Sequence, residues 1–250
     1  MDIKMDKRYA VLIDADNVSE KYIDIILEEV SNYGVATTRR IYGDWTKTGM
    51  TKWKKSLLEN SIIPVQQYSY TTGKNSTDSA MIIDAMDILY SGKVDGFCLV
   101  SSDSDFTRLA SRIREAGLDV VGMGETKTPP AFISACTVYR YLDLLAAESF
   151  EEEVSNKPVS NVVSKVGLKK VKKAMKNIVQ ENSDGDGWMN IGDLGNKLQK
   201  RFPDFDVRNY GYKKFSLFVE NCGLFEIKKE DQIGGTGVTI YAQRVSSKNR

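Results

Sequence analysis

The feature that most restricts the fold is a regular alternation through the first half of the chain. Short β-branched apolar runs at Tyr9–Ile13, Val35–Tyr42, Ile62–Gln66, Gly96–Ser101 and Leu118–Gly122 read as buried strands. A shorter one near Thr137–Tyr141 completes the set. Between them, apolar residues recur at helical spacing. One stripe is Val18, Tyr22, Ile25, Ile26 and Val30; a second is Met50, Trp53 and Leu57. A third is Ile82, Ile83, Met86, Leu89 and Tyr90, and a fourth is Phe106, Leu109, Ala110 and Ile113, closed by Gly117. Strands that alternate with helices need crossover connections, so the sheet is expected to be parallel with helices on both faces.

The pattern then breaks. Residues 147–166, which include Glu151, Glu152, Glu153 and Pro158, read as a linker between a domain over 1–146 and a smaller one over 167–245. The second domain is expected to hold an amphipathic helix over Leu168–Gln180, an Asp/Gly-rich loop over Ser183–Gly187, and a helix capped by Asn190. A third helix over Lys213–Cys222 precedes strands Leu224–Lys229 and Val238–Gln243, joined by the turn Gln232–Gly237. Helices followed by a hairpin point to a winged-helix-like module.

Charge separates the halves further. Residues 1–156 carry 17 Lys and Arg against 24 Asp and Glu, a net −7, and residues 157–250 carry 18 against 10, a net +8. The acidic half suits cations and the basic half suits phosphates. Histidine is absent, which excludes a His-based triad, a His general base and a His-rich zinc site. Cys98, Cys136 and Cys222 are scattered in apolar settings and read as buried free thiols. A metal here would have to be held by oxygen, which favours Mg²⁺ or Mn²⁺ over Ca²⁺. No apolar run approaches the roughly 20 residues of a membrane span, and the N-terminus lacks a signal-peptide core, so no membrane and a cytoplasmic location are expected.

In a parallel α/β sheet the functional crevice lies beyond the carboxyl ends of the strands. Asp14 ends the first strand, Asp103 and Asp105 follow the fourth, and Asp78 opens the third helix. If the sheet reverses its order between strands one and four, these residues meet. Crowded carboxylates repel one another unless a cation sits among them, so Asp14, Asp78, Asp103 and Asp105 are the expected metal site. The plainer role for an Asp after a strand is a helix cap, and Asp16 and Asp105 are the better cap candidates. Asp84, six positions past Asp78, is expected to support rather than ligate, and Asp87 to face solvent. Asn17 would orient a ligand or a water, or serve as a cap. Lys74, Arg39 and Arg40 are candidates for gripping substrate phosphates, and Trp45, Tyr68 and Tyr70 for lining the groove. Solvated surface or ordinary packing is the competing role for each.

Three segments, Leu12–Asn17, Gly73–Asp78 with Asp84, and Ser101–Phe106, resemble in order and spacing the NYN domain family, a branch of the PIN-like nucleases, over about residues 8–145. The resemblance implies a metal-dependent ribonuclease whose site residues by motif position are Asp14, Asn17, Asp78, Asp103 and Asp105. The second half resembles an OST-HTH (LOTUS) domain over about 165–245 through Gly211–Phe215, Leu217–Val219 and Gly223–Ile227. This implies RNA as a partner, with room for self-association or a protein partner through the same domain. Lys213 and Lys214 would then meet the phosphate backbone, and Lys169, Lys170, Lys172 and Lys173 form either part of that contact or a solvated helix face. Two other readings compete. One is an RNA-binding adaptor without turnover. The other is a haloacid dehalogenase-like phosphatase, since Asp14-Ala15-Asp16 resembles that family's nucleophile motif.

Overall fold

The structure is a computed structural model describing residues 6–68, 76–152, 167–231 and 238–244. The chain forms two compact units, Met1–Ser155 and Asn156–Arg250.

In the first unit six strands form one parallel sheet: β1 (Arg8–Asp14), β2 (Val35–Gly43), β3 (Ile63–Gln66), β4 (Gly96–Val100), β5 (Asp119–Gly124) and β6 (Val138–Tyr141). Their spatial order is β3-β2-β1-β4-β5-β6, so the sheet does reverse between β1 and β4. Among the described residues, six α-helices connect or follow them: α1 (Ile23–Ser31), α2 (Trp53–Glu59), α3 (Ser76–Ser91), α4 (Thr107–Glu115), α5 (Pro130–Ala135) and α6 (Leu142–Glu152). Strands buried on both faces should be apolar throughout. β4 is buried at all five positions, and its residues alternate between two cores. Phe97 and Leu99 join α3, α4 and α5 on one face, while Cys98 and Val100 join α1 and α2 on the other.

Two sequence expectations shift. The buried face of α3 is Met81, Ala85 and Leu89, whereas Ile83 and Tyr90 point outward at 63% and 72% exposure. Tyr90 instead receives a hydrogen bond from Arg112 Nη2 on α4 at 3.1 Å. A small residue, Ala85, at the centre of the stripe lets the helix lie close on the sheet, and hydrophobicity alone gave it too little weight. Secondly, α6 continues through Glu152, so the stretch read as linker begins inside a helix.

The second unit holds α7 (Leu168–Asn182), β7 (Trp188–Asn190), α8 (Ile191–Arg201), α9 (Phe215–Asn221), β8 (Phe225–Asp231) and β9 (Val238–Arg244). Its antiparallel sheet has the order β7-β9-β8. Asn190 caps α8 as expected, its side-chain oxygen accepting from the Gly192 amide at 2.7 Å. The third strand, β7, is only three residues long and gave no period to read in the sequence. An aromatic cluster of Phe205, Tyr210, Tyr212, Phe215 and Phe218 packs the core. The turn over 232–237 lies outside the described residues. Among the described residues no helix is long and apolar enough to cross a membrane, and all three cysteines are buried and free.

Candidate metal centre

Register places the site. Asp14 on β1 lies one residue beyond the Ile13–Val100 pair and so stands beside Ser101, the first residue after β4. Asp14 is fully buried. Its Oδ2 accepts from Ser101 Oγ at 2.8 Å and Asn17 Nδ2 at 2.7 Å, and its Oδ1 accepts from the Asp16 amide at 3.0 Å. Burial raises its pKa above the ordinary carboxylate value, and the bonds from Asn17, Ser101 and the Asp16 amide oppose that shift. Asn17 thus orients Asp14 directly.

Asp103 accepts the Asp105 amide at 2.9 Å, and the Asp103 amide donates to Ser101 Oγ at 3.1 Å. Ser101 therefore ties the end of β1 to the turn after β4. The backbone of β5 presses on this turn: a Cβ at Gly124 would stand 2.5 Å from the Ser101 carbonyl oxygen and 2.9 Å from Ser102 Oγ, so only glycine fits there without moving it. Asp103, rather than Asp105, accepts the capping amide of the short helix over Ser104–Phe106, and Asp14 closes a turn of its own by accepting the Asp16 amide. Asp105 is left exposed, and Asp16 Oδ2 accepts from Thr77 Oγ1 at 2.9 Å.

Asp78, Asp103 and Asp105 converge. Each offers one carboxylate oxygen, and the three lie within 4.8 Å of one another. The half-buried Asp78 feels this most. Its pKa is pushed up to about 6, first by burial and then by the charges of Asp14, Asp103, Asp105 and Asp16. Asp14 is close enough to act on Asp78 electrically, but it is outside the converging trio and its oxygens are taken by Ser101, Asn17 and Asp16. An all-oxygen donor set under mutual repulsion fits a hard divalent cation.

The folded pKa of Asp78 exceeds the unfolded value of about 3.9, so the native state binds the extra proton. The stability this lends is complete below the unfolded value and is lost as pH rises through about 6. Without metal, Asp78→Asn should therefore be more stable than wild type at pH 8, by on the order of 1 kcal/mol once solvent screening at this half-open site is allowed for. The gap should close by pH 4, as urea midpoints at the two pH values would show.

The other candidates are placed elsewhere. Arg40 on β2 is not free to grip a phosphate. It is paired with Asp84 on α3, whose second oxygen accepts from the buried Tyr42 hydroxyl. Asp84 thereby fastens α3 to the sheet, while Asp87 is exposed. Asp84→Asn should cost about 1–3 kcal/mol, because the half-buried Arg40 loses its counter-charge; thermal melting would register it. Arg39 Nη1 donates to the Asn60 carbonyl at 2.9 Å. Trp45 packs against the α1/α2 core, its indole donating to the Val65 carbonyl at 3.0 Å. Tyr68 is 54% exposed, and Lys74 and Tyr70 lie outside the described residues. In the second unit Lys213 and Lys214 are exposed, and Lys172 Nζ donates to the Cys222 carbonyl at 3.0 Å. A shallow cavity of about 410 Å³, bounded by Leu27, Tyr33, Val35 and Arg39, lies at the amino end of β2, away from the carboxylates. Sequence reasoning missed Ser101, Thr77 and Lys47, whose Nζ lies 3.7 Å from Asp16 Oδ1. A small hydroxyl directly after a buried strand was the available signal for Ser101.

The NYN domain model matches residues 8–144, and the OST-HTH/LOTUS domain model matches residues 167–235. A search of curated proteins finds no match. Among solved structures, a protein of unknown function from Vibrio parahaemolyticus is similar at 18% identity and a TM-score of 0.48, covering 56% of this chain and 96% of that one. The NYN match spans more than half of the chain and takes in every strand of the sheet that gathers the aspartates, so the chain belongs to the NYN domain family and carries an OST-HTH/LOTUS domain behind it.

Proposed function

We propose that the chain is a divalent-metal-dependent ribonuclease whose basic second unit contacts RNA. The observation that carries this is the convergence of Asp78, Asp103 and Asp105 at the carboxyl edge of the sheet, with the Asp78 pKa raised to about 6. These three side chains would hold the cation. A Mg²⁺ or Mn²⁺ in that position supplies polarisation of a phosphoryl oxygen and a water of lowered pKa. Asp14, fixed by Asn17 and Ser101, adds negative charge at the floor of the site and strengthens its attraction for cations. Family membership supports RNA as substrate, and so does the +8 charge of the second half. There Lys169, Lys170, Lys173, Lys213 and Lys214 are exposed, on a unit we read as winged-helix-like.

The phosphatase reading loses its footing. A nucleophilic aspartate must present an oxygen to substrate, and Asp14 is fully buried with both oxygens hydrogen-bonded. The test is cleavage of labelled single-stranded RNA by the full chain with Mg²⁺, with Mn²⁺ and with chelator. Cleavage that chelator abolishes is expected. RNA binding without metal-stimulated cleavage across varied substrates would instead establish the adaptor.

A further inference from the structure

We infer that Lys47 is a substrate-positioning residue: its ammonium takes a phosphate of the RNA strand next to the one held at the carboxylate cluster. This rests on the ribonuclease reading above and assigns a part of its site that Arg40, bound to Asp84, does not supply.

The segment after β2 is fixed along its backbone. The Asp44 carboxylate accepts from Thr46 N, Thr46 Oγ1 and Gln66 Nε2 at 3.2, 2.6 and 2.9 Å. The Trp45 indole is anchored on the Val65 carbonyl, and the Trp45 amide donates to Gln66 Oε1 at 2.9 Å. The Lys47 amide donates to the Asp44 carbonyl at 3.1 Å, and the Met50 amide closes the next turn on the Lys47 carbonyl at 3.0 Å. The Lys47 side chain is thus carried on a well-held turn and remains 51% exposed.

It reaches into the mouth of the acidic crevice. Its Nζ is 3.7 Å from Asp16 Oδ1, while Asp16 Oδ2 is hydrogen-bonded to Thr77, the neighbour of Asp78. One carboxylate therefore separates the ammonium from the start of the helix that brings a candidate metal ligand. Other lysines near this edge are held more closely: Lys52 lies 2.8 Å from Glu20, and Lys127 lies 2.8 Å from Glu125. The Lys47–Asp16 contact is longer than a hydrogen bond and open to water, so an incoming phosphate can displace it at little cost. An ammonium donates as a point charge and needs no planar partner, which suits a backbone phosphate read without regard to base.

The test uses the full chain and labelled single-stranded RNA. Lys47→Ala should raise KM roughly 5- to 10-fold with kcat within about 2-fold, and should flatten the slope of log kcat/KM against log salt by about 0.7, the signature of one lost phosphate contact. Lys47→Arg should restore both to within about 2-fold of wild type. Lys55→Ala, at a site 82% exposed and paired with Glu59, should leave both unchanged. An unaltered KM and slope in Lys47→Ala, or a loss that arginine does not restore, overturns the assignment. If the wild type cuts no RNA with any divalent cation, the ribonuclease reading fails on its own. Lys47 is then judged by the salt slope of RNA binding in Ca²⁺, where the same flattening supports it and an unchanged slope removes it.

Discussion

Asp103→Asn is expected to lower RNA cleavage by about 100-fold or more while leaving the fold and the RNA affinity of the full chain nearly unchanged. The asparagine keeps a side-chain oxygen where Asp103 accepts the Asp105 amide, so the turn after β4 survives. What disappears is one of three charges whose oxygens lie within 4.8 Å of one another. Asp14→Asn should have a comparable effect by a different route, because the variant amide must place an NH₂ group among three donors, Ser101, Asn17 and the Asp16 amide. That variant should also lose stability, since a buried donor facing donors is unsatisfied, and comparing the melting of the two variants separates the causes. The pH dependence has a definite sign. Asp78 is protonated below about 6 and ionised above it, and only the ionised form ligates. Cleavage should therefore fall on the acid side, and a tenfold rise in Mn²⁺ should move that acid limb down by at most about one pH unit, because the cation competes with the proton. Full activity in Asp103→Asn, or an acid limb indifferent to metal concentration, would remove the assigned site.

Much of this was legible because a parallel sheet turns a local signal into a spatial one. A buried apolar run followed by an aspartate puts that aspartate at the carboxyl edge, and topology then decides which of them meet. Asp14 and Asp103 are separated by most of a domain in sequence, yet β1 and β4 are neighbours. What the residue pattern could not show is which partner each charge finds. Arg40 and Lys47 look alike as isolated basic residues. Arg40 lies in β2, on the face covered by α3, where Asp84 and Tyr42 receive it. Lys47 lies past the end of the same strand, where its side chain stays 51% exposed beside Asp16. The cap moved from Asp105 to Asp103 for a related reason. An Asp has a backbone amide two residues ahead within reach of its carboxylate, so Asp14 and Asp103 each close a turn on the amide of the next Asp. In α3 the exposed Ile83 and Tyr90 outweighed Ala85 in the apolar pattern, although Ala85 makes the closer approach.

The largest loss of stability is expected from Glu29→Gln, at about 3–5 kcal/mol. Glu29 on α1 pairs with Arg140 on β6, Nε to Oε2 at 3.3 Å, and the two side chains are only 7% and 11% exposed. The Arg140 guanidinium also lies 5.8 Å from the centroid of the Tyr33 ring. The pair joins the helix after β1 to the edge strand, contacts far apart in the sequence that neither residue signalled. Neutralising one partner removes a pairing that offsets the cost of holding the other charge in a site only 7–11% exposed. Arg140→Met should cost a similar amount by removing the same pairing from Glu29's side. The double variant Glu29→Gln with Arg140→Met removes both charges of this pair together, so it should recover much of the loss and lie well above the sum of the single effects. Urea unfolding of the four proteins reads this directly: at a slope near 2 kcal/mol per molar, each single variant should lower the midpoint of the first unit by about 1.5–2.5 M. Additive losses in the double variant would mean that the two residues stabilise the unit through separate packing contacts and that their charges are incidental to it.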